Sequence, residues 1–145
     1  MARTRVPHSI APDLLERARA RFQDFPLTRN WGLTIEALQP GRATLALEPG
    51  AATVNGPHGV VNGGVLATLA DIACALALST YFDGRMPFAT SDLHIRYLEP
   101  AEGRVIVEAA VIRATQRSGI LECQLFCADR MVSLCTAHFV ITGNV

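Results

Sequence analysis

Three observations predict an α+β fold, in which an antiparallel sheet of about six strands wraps one long central helix and a further helix comes before them. Residues 64–82 are apolar almost throughout, and Asp71 is the one charge between residues 59 and 82, as in a helix buried on every side. Two runs before this stretch and four after it alternate apolar with polar residues or are rich in β-branched ones, as strands are. Pro40-Gly41, Pro49-Gly50, Asp83-Gly84 and Asp129-Arg130 break the chain between these runs at turn spacing.

In chain order, Pro12 and Asp13 stand where a helix begins, and Leu14, Ala18 and Phe22 recur at four-residue spacing on one face. Residues 1–28 are therefore read as an N-terminal amphipathic helix and its lead-in, with Arg17, Arg19 and Arg21 on a solvated face. Residues 29–145 are read as a single domain. After Pro26 the period changes to two: Leu33, Ile35 and Ala37 share a face, then Ala43, Leu45 and Leu47. Beyond the central helix, strands are expected over roughly 88–98, 104–113, 119–128 and 131–142. In the first of these Leu93, Ile95 and Tyr97 oppose Asp92, His94 and Arg96. The Asp129-Arg130 pair predicts a tight hairpin, and Arg117-Ser118-Gly119 a looser one.

With 145 residues, half of them hydrophobic, the chain is large enough to bury a core and too apolar for disorder. Thirteen basic residues balance thirteen acidic ones, which leaves no electrostatic footprint for nucleic acid or for an anionic membrane surface. Asp71 near the middle of the apolar stretch is costly in lipid, so a core helix is expected rather than a membrane span. The basic start has no apolar stretch behind it, which predicts a cytoplasmic protein. Cys74, Cys123, Cys127 and Cys135 form no C-x-x-C pairs and are expected as reduced core residues. With His8, His58, His94 and His138 they show no metal-ligand spacing, so no metal is expected.

The loop entering the central helix is the stretch with chemistry. It ends Asn62-Gly63-Gly64, so Asn62 is placed to cap the helix while two residues without side chains occupy its first turn. Backbone N–H groups left open at such a start attract negative charge.

The segment from Gly59 to Ala73, in which Asn62-Gly63-Gly64 precedes Leu69 and Asp71 at fixed spacing, resembles the G-x-x-H-G-G-x-x-x-x-L-x-D-x-A signature of hotdog acyl-CoA thioesterases, which include phenylacetate-pathway and 4-hydroxybenzoyl-CoA enzymes. The segment 90–100 resembles the next block of that family, and the likeness spans about residues 30–142. The resemblance implies a hotdog fold and hydrolysis of an acyl-CoA to a carboxylic acid and free coenzyme A. Coenzyme A would then be part of the substrate, and no cofactor is called for. By the same resemblance the Gly63 amide receives the oxyanion, Asp71 activates water or attacks the carbonyl, and Thr90 is the hydroxyl beside the acid.

Two departures stand out. The family histidine before Gly-Gly is Asn62 here, which can cap and hydrogen-bond but cannot titrate. The family's upstream asparagine lies six residues before that histidine, whereas Asn55 lies seven before Asn62, so Asn55 needs a loop adjustment or His58 replaces it. Gly64 is expected on the substrate side of the helix start, and the same resemblance implies that the turn holding Arg117 and Ser118 is the source of contacts to the coenzyme A phosphates.

Spacing adds a constraint of its own. Gly63 and Asp71 are eight residues apart, which on a helix is ~12 Å. One carbonyl cannot touch both, so the amide of one chain is expected to face the acid of a second. Ala67, Thr68, Cys74 and Ala75, the helical neighbours of Asp71, are small enough for a second chain to come close. A homodimer follows from the spacing, and the resemblance extends it to a dimer of dimers. Two other readings are compatible with parts of the sequence. A non-catalytic hotdog protein that binds acyl-CoA as a sensor or partner would tolerate Asn62, whereas a hydratase or dehydratase would lack its histidine at the helix start.

Overall fold

The chain, described over residues 6–143 in a computed structural model, runs through α1 (Leu14–Asp24), α2 (Pro26–Trp31), β1 (Thr34–Gln39) and β2 (Arg42–Leu47). A small hairpin of β3 (Val54–Asn55) and β4 (Val60–Val61) leads into α3 (Gly63–Ser79). After a 3-10 turn at Thr80–Phe82 come β5 (Phe88–Tyr97), β6 (Val105–Ala114), β7 (Ser118–Cys127) and β8 (Arg130–Ile141). The six long strands form one sheet in the order β1-β2-β6-β7-β8-β5, antiparallel at every pairing. The sheet curls around α3, which is the hotdog architecture expected from the sequence.

The helix is apolar nearly all round because the sheet covers most of its circumference. Leu69, Ala70, Ala73, Cys74 and Ala77 have no exposed surface, and they meet inward residues such as Leu45, Val107, Leu121 and Leu125, which have none either. Each fully buried leucine of this set contributes ~1.5–3 kcal/mol relative to leaving it in water. From Gly63 to Phe82 the chain is long and apolar enough to cross a membrane, yet 67% of that stretch is buried inside the protein. Gly64, Ala67, Thr68, Asp71, Ile72 and Ala75 keep some exposure. They recur at three- and four-residue steps, so they form one open face of the helix.

Several local expectations change. The segment after Pro26 is first helical: Pro26 takes the N1 position of α2, where its missing N–H costs nothing, and Gly32 ends the helix in the left-handed region at φ 66°. The alternation of β1 survives only to Ile35, because a bulge between Ile35 and Ala37 turns Leu38 inward instead of Ala37. Arg17, Arg19 and Arg21 are not a merely solvated face. Arg17 bridges Asp13 and Asp83, Arg19 donates twice to the Ile35 carbonyl, and Arg21 donates to the Gly84 carbonyl at 2.8 Å. The amphipathic face of α1, Leu14, Ala18 and Phe22, is buried as its spacing predicts.

Candidate functional site

At the start of α3 the cap leaves one backbone amide free among the described residues. Asn62 caps the helix: its Oδ1 accepts from the Gly64 amide at 2.8 Å and from the Val65 amide at 3.3 Å. The Asn62 carbonyl takes the Leu66 amide, so Gly63 N–H is the first-turn amide with no acceptor among the described residues. The Gly64 amide, expected on the substrate side, is already used by the cap. The other end of the Asn62 amide donates through Nδ2 to Asn55 Oδ1 at 2.7 Å. The seven-residue separation between the two closes because β3 and β4 pair Val54 with Val61 and Asn55 with Val60. Gly56 and Gly59, at φ 60° and 68°, supply the left-handed residues that turn this hairpin.

Tyr97 is a participant that the sequence pattern does not reveal. Its hydroxyl donates to the Gly63 carbonyl at 2.6 Å, and its ring lies over the helix start so closely that a Cβ on Gly63 would meet it at 3.2 Å. A side chain at position 63 would press the Tyr97 ring back by a few tenths of an ångström. The one signal for it is the alternation of β5, whose inward set Leu93, Ile95, Tyr97 ends in an aromatic residue with a polar tip.

Two turns along the open face, Asp71 accepts a hydrogen bond on Oδ1 from the Thr90 hydroxyl at 2.7 Å, while Oδ2 has no donor among the described residues. Thr90 reaches the acid because of a bulge. β5 pairs Thr90 with Phe139 and Asp92 with His138, so Ser91 is an extra residue. Continued alternation from Leu93 would have turned Ser91 inward and Thr90 outward; the inserted residue restores Thr90 to the helix side. Beside Asp71 lies an apolar cavity of about 180 Å³ between α3 and the N-terminal helices.

The remaining predicted residues fall at both ends. His58 is exposed in the turn Gly56–His58, and its side chain makes no hydrogen bond among the described residues. Arg117 and Ser118 lie in the β6–β7 turn, where their amides donate to Thr115 Oγ1. Ser118 is in register with Val140, which pairs with Ala89, so this turn stands at the Thr90 end of the sheet, two strands or ~10 Å away. No group of three or more His, Cys, Asp or Glu side chains among the described residues is placed to hold a metal.

The cysteines are core residues. Cys123 and Cys135 are cross-strand partners under α3. Cys123 is pushed well above the usual thiol range by the neighbouring Cys74 thiol and by burial, and Cys135 is pushed up to about 12, mainly by burial. Both stay protonated at neutral pH, which makes them poor nucleophiles.

Comparison with known proteins places this geometry in context. The family model described as the thioesterase superfamily matches residues 58–134, which include the helix start, Asp71 and Thr90. A Halobacterium salinarum protein whose name marks it provisionally as an esterase is 32% identical over 116 residues, 77% of each chain. A variant of the phenylacetic acid degradation protein PaaI from Thermus thermophilus has 29% identity and a TM-score of 0.71, covering 80% of this chain and 98% of its own. The Escherichia coli PaaI protein, at 21% identity, shares the fold, with a TM-score of 0.81 over 94% of this chain and 99% of its own.

Proposed function

The chain belongs to the thioesterase superfamily, and from that membership we propose that it is an acyl-CoA thioesterase whose active site is shared between two copies. Water adds through oxygen to the thioester carbon as the C–S bond breaks, giving R–COOH and free coenzyme A thiol. Gly63 N–H receives the negative charge that develops on the carbonyl oxygen, in a position favoured by the positive end of the helix. Asp71 takes the proton from water and returns it to the departing thiolate, or attacks the carbonyl itself and is released by water. Thr90 holds the carboxylate by one oxygen and leaves the other for this work. Asn62 fixes the first turn of α3 with help from Asn55, and Tyr97 does so from the β5 side. Arg117 meets the coenzyme A phosphates at the mouth, with Ser118 beside it.

The observation that carries this reading is the pairing of a free helix-start amide with a half-satisfied carboxylate ~12 Å along the same helix. Each is of use to a thioester only if the other comes from a second chain, and the small residues Gly64, Ala67 and Thr68 on the open face let a second helix lie close. A two-fold related pair would contain two equivalent sites, each with the Gly63 of one protomer and the Asp71 of its partner.

Complementation tests this directly. Asp71→Asn and Gly63→Ala proteins, each nearly inactive alone, are mixed under conditions that exchange subunits, and thiol release from octanoyl-CoA is followed. Half of the dimers then carry one intact site out of two, so about a quarter of the wild-type rate returns. No recovery from a mixture proven to contain heterodimers overturns the shared site. Tight acyl-CoA binding without turnover of any thioester would favour a sensor instead, a role compatible with the non-titrating Asn62.

A further inference from the structure

The apolar cavity beside Asp71 has three walls. Ile72 and Ala75 of α3 form its floor, Phe22 and Phe25 close it from the α1–α2 elbow, and Met86 from the segment after α3 borders the mouth. A hollow of the same volume over β1, β2 and β6 is lined by Gln39, Arg42, Thr44 and Glu108, and a larger one of about 330 Å³ by Glu102, Arg104 and Arg130 among others; neither touches Asp71. The cavity at Asp71 is therefore the one whose chemistry suits an acyl tail.

The walls are fastened to one another. Thr28 Oγ1 donates to the Phe22 carbonyl at 2.6 Å, with the Phe25 carbonyl a second acceptor at 3.1 Å, which fixes the backbone of the elbow. Arg17 donates to Asp83 Oδ1 at 2.7 Å and Arg21 to the Gly84 carbonyl at 2.8 Å, so α1 grips the segment that leads into Met86. Arg19 ties α1 to β1 at the Ile35 carbonyl. Phe25 and Met86 remain exposed at the rim, open to an apolar group that enters the hollow. Both N-terminal helices lie outside residues 58–134, so this wall belongs to the part of the chain that the family model does not match.

Resting on the thioesterase reading, we propose that the clamped N-terminal helix pair, with Met86, is the acyl-length ruler of this protein, closing a pocket for a compact acyl group. The size follows from volume: a dry cavity of ~150 Å³ holds a benzene molecule, so one of about 180 Å³ takes a single ring or an unbranched tail of about six to eight carbons. A sixteen-carbon tail does not fit unless the elbow opens.

The test uses the full chain and four thioesters, acetyl-, octanoyl-, benzoyl- and hexadecanoyl-CoA, with kcat/KM measured for each. Octanoyl- and benzoyl-CoA are expected to exceed the other two. Ala75→Leu, which raises the floor, lowers the octanoyl-to-acetyl ratio at least tenfold; Phe25→Ala, which opens the elbow, raises the hexadecanoyl-to-octanoyl ratio about tenfold. Calorimetric binding of octanoyl- and acetyl-CoA in an Asp71→Asn background, with and without Ala75→Leu, gives the same comparison without turnover. Hydrolysis abolished by Asp71→Asn, but with ratios that neither substitution moves, overturns the ruler and leaves the thioesterase reading standing. Octanoyl-CoA binding that depends on Ala75 without hydrolysis of any thioester retains the pocket and overturns that reading. Preference for hexadecanoyl-CoA in the wild type overturns the ruler outright.

Discussion

The two ends of the open face of α3 are built from different materials. At Gly63 the proposed working group is a backbone amide, and the side chains around it, Asn62, Asn55 and Tyr97, hold the turn that presents it. At Asp71 the proposed working group is a side chain, steadied by the Thr90 hydroxyl and set beside an apolar hollow. An amide donor needs glycine and a cap, which tolerate little variation in shape. An acid beside a cavity needs one fixed contact and leaves the remaining walls free to differ. A helix that carries both at ~12 Å separation is suited to lie beside a copy of itself, so that each end meets its complement.

The largest effect is expected from removing the acid. Asp71→Asn keeps the size and the contact with Thr90 but cannot accept a proton from water, so kcat falls by ~10²–10⁴ with little change in melting temperature. Residual activity near wild type would place the chemistry elsewhere. Gly63→Ala attacks the other end: its Cβ meets the Tyr97 ring at 3.2 Å, and one of the two must shift. A misplaced amide costs ~10²–10³ in kcat. Trimming the ring in the double substitution Gly63→Ala, Tyr97→Ala separates crowding from chemistry, since it relieves the clash and recovers part of the rate.

Smaller changes sharpen the contrast. Thr90→Val preserves shape and strand propensity while deleting the donor to Asp71, and a hydrogen bond to a charged group is worth ~1.5–3 kcal/mol, so kcat drops by about tenfold or more while KM changes little. A matching fall in stability, read from a urea midpoint, would mean that the hydroxyl is only structural. Asn62→Ala removes a cap that serves two amides and is expected to destabilise the protein by ~1 kcal/mol, or about 3 °C in melting temperature. If Asn62 only capped the helix, activity would follow the fraction folded; a larger loss assigns it a further part in holding Gly63.

Much of this is legible in the sequence for identifiable reasons. The central helix is visible because a long apolar run with one acid fits little besides a buried helix, and the cap because Asn-Gly-Gly before such a run has a specific mechanical meaning. Family resemblance alone places Thr90 beside Asp71. Tyr97 reads as one apolar step of β5, since period-two spacing cannot tell how far a ring reaches. Arg17, Arg19 and Arg21 read as solvent-facing because their acceptors, the Ile35 and Gly84 carbonyls and Asp83, lie 16 to 66 residues away in sequence. The short helix after Pro26 escapes notice because six residues carry too little periodicity.

By itself, the sequence determined the order of the long elements, the buried nature of the helix and the ~12 Å separation of amide and acid, since each follows from hydrophobic period or helical rise. Only the tertiary structure decided which way Thr90 faces, because a single bulged residue, Ser91, reverses side-chain phase and leaves no mark in composition. It also decided which amide stays free, since Asn62 can reach Gly64 and Val65 but not the residue next to it. The cavity beside Asp71 is tertiary in origin too: its walls come from α1, α2, α3 and the segment after α3, and hydrogen bonds across the fold draw them together.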